Sequence, residues 1–254
     1  MLKIDNLSVT LSNRLIIDDL SLSFPGGEIS CIVGKNGSGK STLLKAIDSL
    51  IPSKGTIKFH DIDLKALSIK ERSKVVSYLS QNRIIPKISV HLLVEHGRFP
   101  YLGFSKNPSE EDLRIVDESI EKVKIGKYKN KTVDTLSGGE QQKVYLASLI
   151  AQNTDVVLLD EPTTHLDLES QIEIIKIIKG FKENKKTVIV VLHDLLQAFS
   201  FSDNVYLMDD GKIIEYGKSE ELYDSENIKK IFNYSLIKEI DDNSLYKYKL
   251  VSEN

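Results

Sequence analysis

An α/β fold, with a mostly parallel core sheet, an antiparallel β layer and an inserted helical lobe, is predicted by three features of this 254-residue sequence. Residues 155–160 and 187–192 are almost purely apolar and β-branched, which is how strands buried on both faces of a parallel sheet read. Helical periodicity over residues 140–152 and 169–183 supplies the layer that covers such a sheet. From Pro86 onward the pattern turns helical and charged. That change reads as a lobe, approximately residues 86–153, inserted into a single domain spanning residues 1–254.

In chain order, residues 2–9 and 15–24 are short strands, broken by Ser12-Asn13 and ended by the turn Pro25-Gly26-Gly27. The apolar run 28–33 is the next strand, followed by a glycine-rich segment and a helix at 42–50. Pro52-Ser53-Lys54-Gly55 then turns the chain into a strand at 56–60, so an antiparallel layer flanks strand 28–33. Residues 75–79 form a further strand, which ends just before Gln81. Within the lobe a helix is expected at 110–123, after interruptions at Pro100-Tyr101-Leu102-Gly103 and Asn107-Pro108. The tail, 219–254, offers a short helix and strands but no motif.

Composition excludes several functions. A formal net charge of -3 gives no basic field to draw the chain to nucleic acid. The only cysteine, Cys31, lies in the apolar run 28–33 and reads as a buried strand thiol, so a disulfide framework is ruled out. No apolar run approaches the ~18 residues of a membrane helix, and no secretory leader opens the chain. A cytosolic location is expected.

The chemistry starts at Gly34-Lys35-Asn36-Gly37-Ser38-Gly39-Lys40-Ser41, followed by Thr42, which fits G-x-x-x-x-G-K-[ST] between a strand and a helix. Glycines let backbone N–H groups curl around an anion, Lys40 reaches terminal phosphates, and the Ser41 hydroxyl is placed to ligate an accompanying magnesium ion. Downstream, Val156-Val157-Leu158-Leu159-Asp160-Glu161 ends an apolar strand in two carboxylates. Beside a phosphate loop, Asp160 suits the magnesium and Glu161 suits orienting or deprotonating the attacking water. A second glycine-lined helix start, Ser137-Gly138-Gly139-Glu140, has no lysine of its own. It reads either as half of a phosphate site closing over the nucleotide of another copy, hence a dimer, or as a plain capping box with Ser137 ahead of Glu140.

These motifs, in this order, resemble the nucleotide-binding subunit of an ATP-binding cassette (ABC) transporter, a P-loop NTPase fold, over residues 2 to about 217. The resemblance makes residues 34–41 the Walker A loop, Gln81 the Q-loop glutamine, residues 136–141 the signature and residues 156–160 the Walker B strand. It likewise makes Glu161 the catalytic glutamate, Thr164-His165-Leu166-Asp167 the D-loop and His193 the switch histidine. It implies ATP and Mg2+ as cofactors, with Ser41, Gln81 and Asp160 on the metal side. It further implies a head-to-tail homodimer with two ATP molecules held between the Walker loops of one copy and the signature of the other. Gln81 would then report nucleotide state to the lobe, and His193 would donate to the transferring phosphoryl group, although a lone histidine at a strand end is more often merely satisfied there. His60, His91, His96 and His165 show no metal-ligand spacing.

One departure concerns the base. The family places an aromatic ring where this chain has Leu11, which offers adenine apolar contact without a π-face. Residues 90–103, Glu161-Pro162-Thr163-Thr164-His165-Leu166-Asp167-Leu168 and residues 211–217 are similar to the cassettes that import iron-siderophores, haem and cobalamin. That similarity implies an importer for an iron chelate, with this subunit peripheral on the cytoplasmic face of the membrane. Separate permease subunits and an extracytoplasmic substrate-binding protein complete such a system. The cluster Arg98, Phe99, Tyr101 and Phe104 is either lobe packing or part of the surface that docks the permease. An importer of zinc, manganese or another solute, an exporter, and a non-transport cytosolic ABC protein are the alternatives.

Overall fold

The computed structural model describes residues 1–103, 107–238 and 248–252. They form two compact units, one of residues 1–66 and 187–254, the other of residues 67–186.

The first unit opens with β1 (Leu2–Leu11) and β2 (Arg14–Phe24), an antiparallel pair. Ser12 and Asn13 both have positive φ, 47° and 62°, and Leu11 faces Arg14 across them. This is the two-residue hairpin whose twist matches that of its strands, and it carries β1 two residues further than the apolar pattern indicates. β3 (Ile29–Val33) is buried throughout, and α1 (Lys40–Ile47) follows the glycine-rich loop. β4 (Lys54–Phe59) and β5 (Ile62–Asp63) complete an antiparallel sheet of order β2-β1-β4-β5, the expected layer.

In the second unit the short helix α2 (Ile69–Arg72) starts from a Ser68–Glu71 capping box and leads into β6 (Val76–Leu79). The lobe helices are α3 (Val90–Glu95), α4 (Glu110–Lys122) and α5 (Gly138–Gln152), with a 3-10 turn over His96–Tyr101. Val90, Val94, Val116, Ile120, Val144 and Ala147 from these helices bury one another in a single core. β7 (Val156–Asp160) runs parallel to β6, Val76 facing Val156 and Leu79 facing Leu159. α6 (Leu168–Glu183) closes the unit.

The chain returns to the first unit with β8 (Thr187–Val191), α7 (Leu195–Phe201), β9 (Asn204–Asp209) and β10 (Lys212–Lys218). β3 lies parallel between β8 and β9, and β10 pairs antiparallel with β9 around Asp210-Gly211, a second hairpin with both φ positive. α8 (Ser219–Leu222), α9 (Glu226–Phe232), β11 (Tyr234–Lys238) and β12 (Tyr248–Ser252) form the tail. The tail is structural here: Tyr248 is buried with its ring 5.3 Å from Tyr223 and 6.0 Å from Phe199, and Asn227 donates to Glu215 on β10 at 2.9 Å.

The two readings of the Arg98 cluster divide residue by residue. Arg98 takes the packing role: it is 7% exposed, its Nε donates to Asp112 at 2.9 Å, its guanidinium donates to the Ala151 carbonyl at 2.7 Å, and it lies 3.9 Å from the Tyr101 ring centre. A buried guanidinium needs such partners, and here it pins the start of α4 to the end of α5. Asp112, held below the usual carboxylate range chiefly by Ser109 and further by Arg98, also completes the capping box of α4. Tyr101 is half-buried with its hydroxyl on the Gln152 carbonyl at 2.8 Å, whereas Phe99 stays 51% exposed. Phe104 lies outside the described residues.

Candidate functional site

The phosphate-type loop leaves buried β3 and enters α1 at Lys40, two residues earlier than expected, because Gly39 takes a left-handed conformation (φ 103°) that ends the loop abruptly. A Cβ at Gly34 would overlap the Met208 carbonyl oxygen of β9, so only glycine lets the two backbones approach. Lys35, Asn36 and Gly37 are exposed, with Gly37 at φ 81°. The Lys40 ammonium, on a side chain 5% exposed, donates back to the Gly34 and Lys35 carbonyls at 2.7 and 2.9 Å. The cation is thereby folded over its own loop.

An anion suits this end of α1. Its N-cap Gly39 brings no side-chain acceptor and its first turn has no acidic residue, so neither cap nor carboxylate of this helix competes with an anion for the positive end of its dipole. Ser38 Oγ is buried without a hydrogen-bond partner, which is the kind of orphan that a phosphate oxygen satisfies. Ser41 and Thr42, half-buried, follow at the first turn.

Leu11 and His193 belong to the same unit. Leu11 is half-buried at the β1 hairpin end, and β2 passes beside the loop, since a Cβ at Gly39 would come within 3.6 Å of Ile16 Cγ2. His193 is exposed just after β8, ahead of Asp194, which caps α7 by accepting from the Gln197 N–H at 3.2 Å.

In the second unit, Asp160 ends the fully buried β7 and is itself 3% exposed. Tyr78 of β6 donates its hydroxyl to Asp160 Oδ2 at 3.1 Å. Glu161, 8% exposed, has a left-handed backbone (φ 51°), a strain of about 1 kcal/mol or more for a residue with a Cβ. Gln81 Nε2 and Thr164 Oγ1 both donate to Glu161 Oε2, the second at 3.2 Å. The glutamine and glutamate singled out 80 residues apart therefore meet. Tyr78 and Thr164 were not singled out as contacts of the carboxylates; only the register of β6 on β7 and the tight turn after Glu161 reveal them.

The helix start at Ser137 realises the capping box. Glu140 N–H donates to Ser137 Oγ at 3.4 Å and the Glu140 carboxylate accepts from the Ser137 N–H at 2.9 Å. The Tyr128 hydroxyl and these Ser137 contacts hold Glu140 below the usual carboxylate range. Its two glycines have different causes. A Cβ at Gly139 would overlap Ser170 of α6, so that glycine serves packing, while a Cβ at exposed Gly138 would meet only Leu166 Cδ2 at an ordinary 3.6 Å.

Comparison with known proteins agrees with this geometry. Residues 17–164 match the ABC transporter family. The petrobactin import ATP-binding protein FpuD of Bacillus anthracis is 35% identical over 91% of this chain and 86% of its own. The iron(3+)-hydroxamate import ATP-binding protein FhuC of Bacillus subtilis (strain 168) is 34% identical over 91% of this chain and 87% of its own. The dimeric post-hydrolysis state of the ATP-binding cassette MJ0796, bound to ADP and Pi, superposes with a TM-score of 0.75 at 28% identity, covering 86% of this chain and 99% of that one. With a loop shaped for phosphates, a strand ending in paired carboxylates and relatives matched along nine-tenths of its length, the chain belongs to the ABC transporter family as an ATP-binding, ATP-hydrolysing subunit.

Proposed function

We propose that this chain powers import of a ferric siderophore or related iron chelate through separate permease subunits, from the cytoplasmic face of the membrane, as one half of a homodimer. The observation that carries the substrate class is the match along nine-tenths of the chain to relatives named for petrobactin and for iron(3+)-hydroxamate import. The dimer is supported by the paired MJ0796 cassettes and by a signature helix that carries no phosphate-binding lysine of its own. Among the described residues no helix is long and apolar enough to cross a membrane, so the reading calls for partner subunits that do, with a substrate-binding protein delivering the chelate.

Within this reading, residues 34–42 cradle the phosphates and Lys40 leaves its own carbonyls for the terminal phosphate oxygens. Mg2+ would supply charge neutralisation, and Ser41 in the first unit and Gln81 and Asp160 in the second would each offer it the oxygen donor that a hard cation takes. Glu161, an acceptor-only carboxylate oriented by Gln81 and Thr164, holds the attacking water and takes its proton. His193 donates to the transferring group, and Ser137, Gly138, Gly139 and Glu140 face the nucleotide of the other copy. Leu11 packs on the base. Among the described members of its cluster, exposed Phe99 is the one left to touch a permease.

A strain lacking the gene should take up less labelled ferric chelate under iron limitation, with wild-type chain restoring uptake and Glu161→Gln, expected to lose about 10²-fold or more in hydrolysis, failing to restore it. Normal uptake in that strain, with no redundant system present, rejects the substrate class and leaves the ATPase assignment standing.

A further inference from the structure

The Walker B carboxylate does not stand alone at its strand end. β6 and β7 pair in parallel with Tyr78 opposite Leu158, and side chains two apart on a strand share a face. Asp160 therefore lies about 6.6 Å further along the face that carries Leu158, a diagonal separation that suits a tyrosine, whose hydroxyl reaches one atom beyond a phenylalanine ring. The hydroxyl ends 3.1 Å from Asp160 Oδ2.

We infer that Tyr78 is a positioning residue for nucleotide-bound Mg2+: its hydroxyl fixes the plane of the Asp160 carboxylate. This rests on the proposed placement of Asp160 on the metal side. A carboxylate 3% exposed is costly to desolvate, and a donor on one oxygen offsets part of that cost while restricting rotation about the terminal torsion, which is otherwise soft. Partners of this kind commonly change metal affinity about 10- to 100-fold when removed. The hydroxyl touches neither nucleotide nor water in this assignment, so its signature is metal-specific. Nucleotide affinity without the metal should not depend on it.

The test uses the purified full chain, with a fluorescent N-methylanthraniloyl ADP titrated at fixed Mg2+ concentrations and in EDTA, comparing wild type, Tyr78→Phe and Asp160→Asn. Tyr78→Phe should leave the affinity in EDTA within about twofold and raise the Mg2+ concentration for half-maximal enhancement about 10-fold. Asp160→Asn should abolish the enhancement. ATP turnover of Tyr78→Phe should recover toward wild type in excess Mg2+, with KM for ATP little changed, which a general weakening of the strand pair would not produce. If Asp160→Asn loses the enhancement and Tyr78→Phe titrates as wild type, the inference on Tyr78 is wrong and the metal-side reading stands. Full enhancement in Asp160→Asn overturns both. Equal loss of affinity with and without Mg2+ in Tyr78→Phe assigns the hydroxyl to the fold alone and also overturns the inference.

Discussion

The two glycine-bearing helix starts, at α1 and at α5, look alike in sequence and differ in how they meet their backbone polar groups. At α1 the cap position is a left-handed glycine with no side-chain acceptor, and nearby Ser38 Oγ is buried without a partner. At α5, Ser137 and Glu140 satisfy one another in a closed box. A helix end that supplies its own side-chain cap contributes to folding, whereas one whose cap position is a glycine leaves room there for an anion. On the proposed reading the first is a site within one chain. The second is available to a ligand only if that ligand competes with, or adds to, an existing cap, which fits a half-site used only when another copy brings nucleotide to it.

Removing the cation should break the comparison most visibly. Lys40→Ala deletes a charge-assisted contact of about 1.5–3 kcal/mol, and so should weaken ATP binding by roughly 10- to 150-fold in direct titration, while no change to α5 should have that effect in the isolated subunit. Near-wild-type affinity would mean that the α1 loop is not the nucleotide cradle. Alanine at the glycines sharpens the contrast. Gly34→Ala drives a Cβ into the Met208 carbonyl and should destabilise the fold by about 2 kcal/mol or more, seen as a lowered urea midpoint. Gly138→Ala meets only ordinary contact and replaces a helical glycine, so it should preserve or raise stability by up to about 1 kcal/mol yet impair ATP-dependent dimerisation. Wild-type dimerisation by Gly138→Ala would leave that glycine without a ligand-facing role.

The regions also differ in how far the sequence alone reached. Parallel strands such as Val156–Asp160 and Thr187–Val191 were legible because burial on both faces imposes uninterrupted apolar runs, and the phosphate-type loop because its glycines answer to backbone geometry. What escaped was non-local. Arg98 stands open in the sequence between lobe packing and a docking surface, and only Asp112 and the Ala151 carbonyl, 53 residues away, enclose it. Gly139 belongs to the signature but is required by Ser170 on the next helix. The donors around Asp160 and Glu161 depend on strand register and on a left-handed turn, which periodicity does not encode.

The smallest effect separates capping from ligand binding at α5. Ser137→Ala should cost about 1 kcal/mol of stability while leaving nucleotide affinity of the isolated subunit unchanged, since the cap is local and the phosphates rest on α1. Its partner supplies a pH arm. Glu140 has a folded pKa below its unfolded value, so its stabilisation is present above the ordinary carboxylate range of about 4.3 and is lost as pH falls through the lowered folded value. The difference in melting temperature between wild type and Glu140→Gln should accordingly hold constant from pH 7 down to about 5 and shrink below about 4. A difference that grows on acidification would show that the charge at 140 is unfavourable in the folded chain. The box would then be a conformation held by packing of α5 on α6 rather than a source of stability.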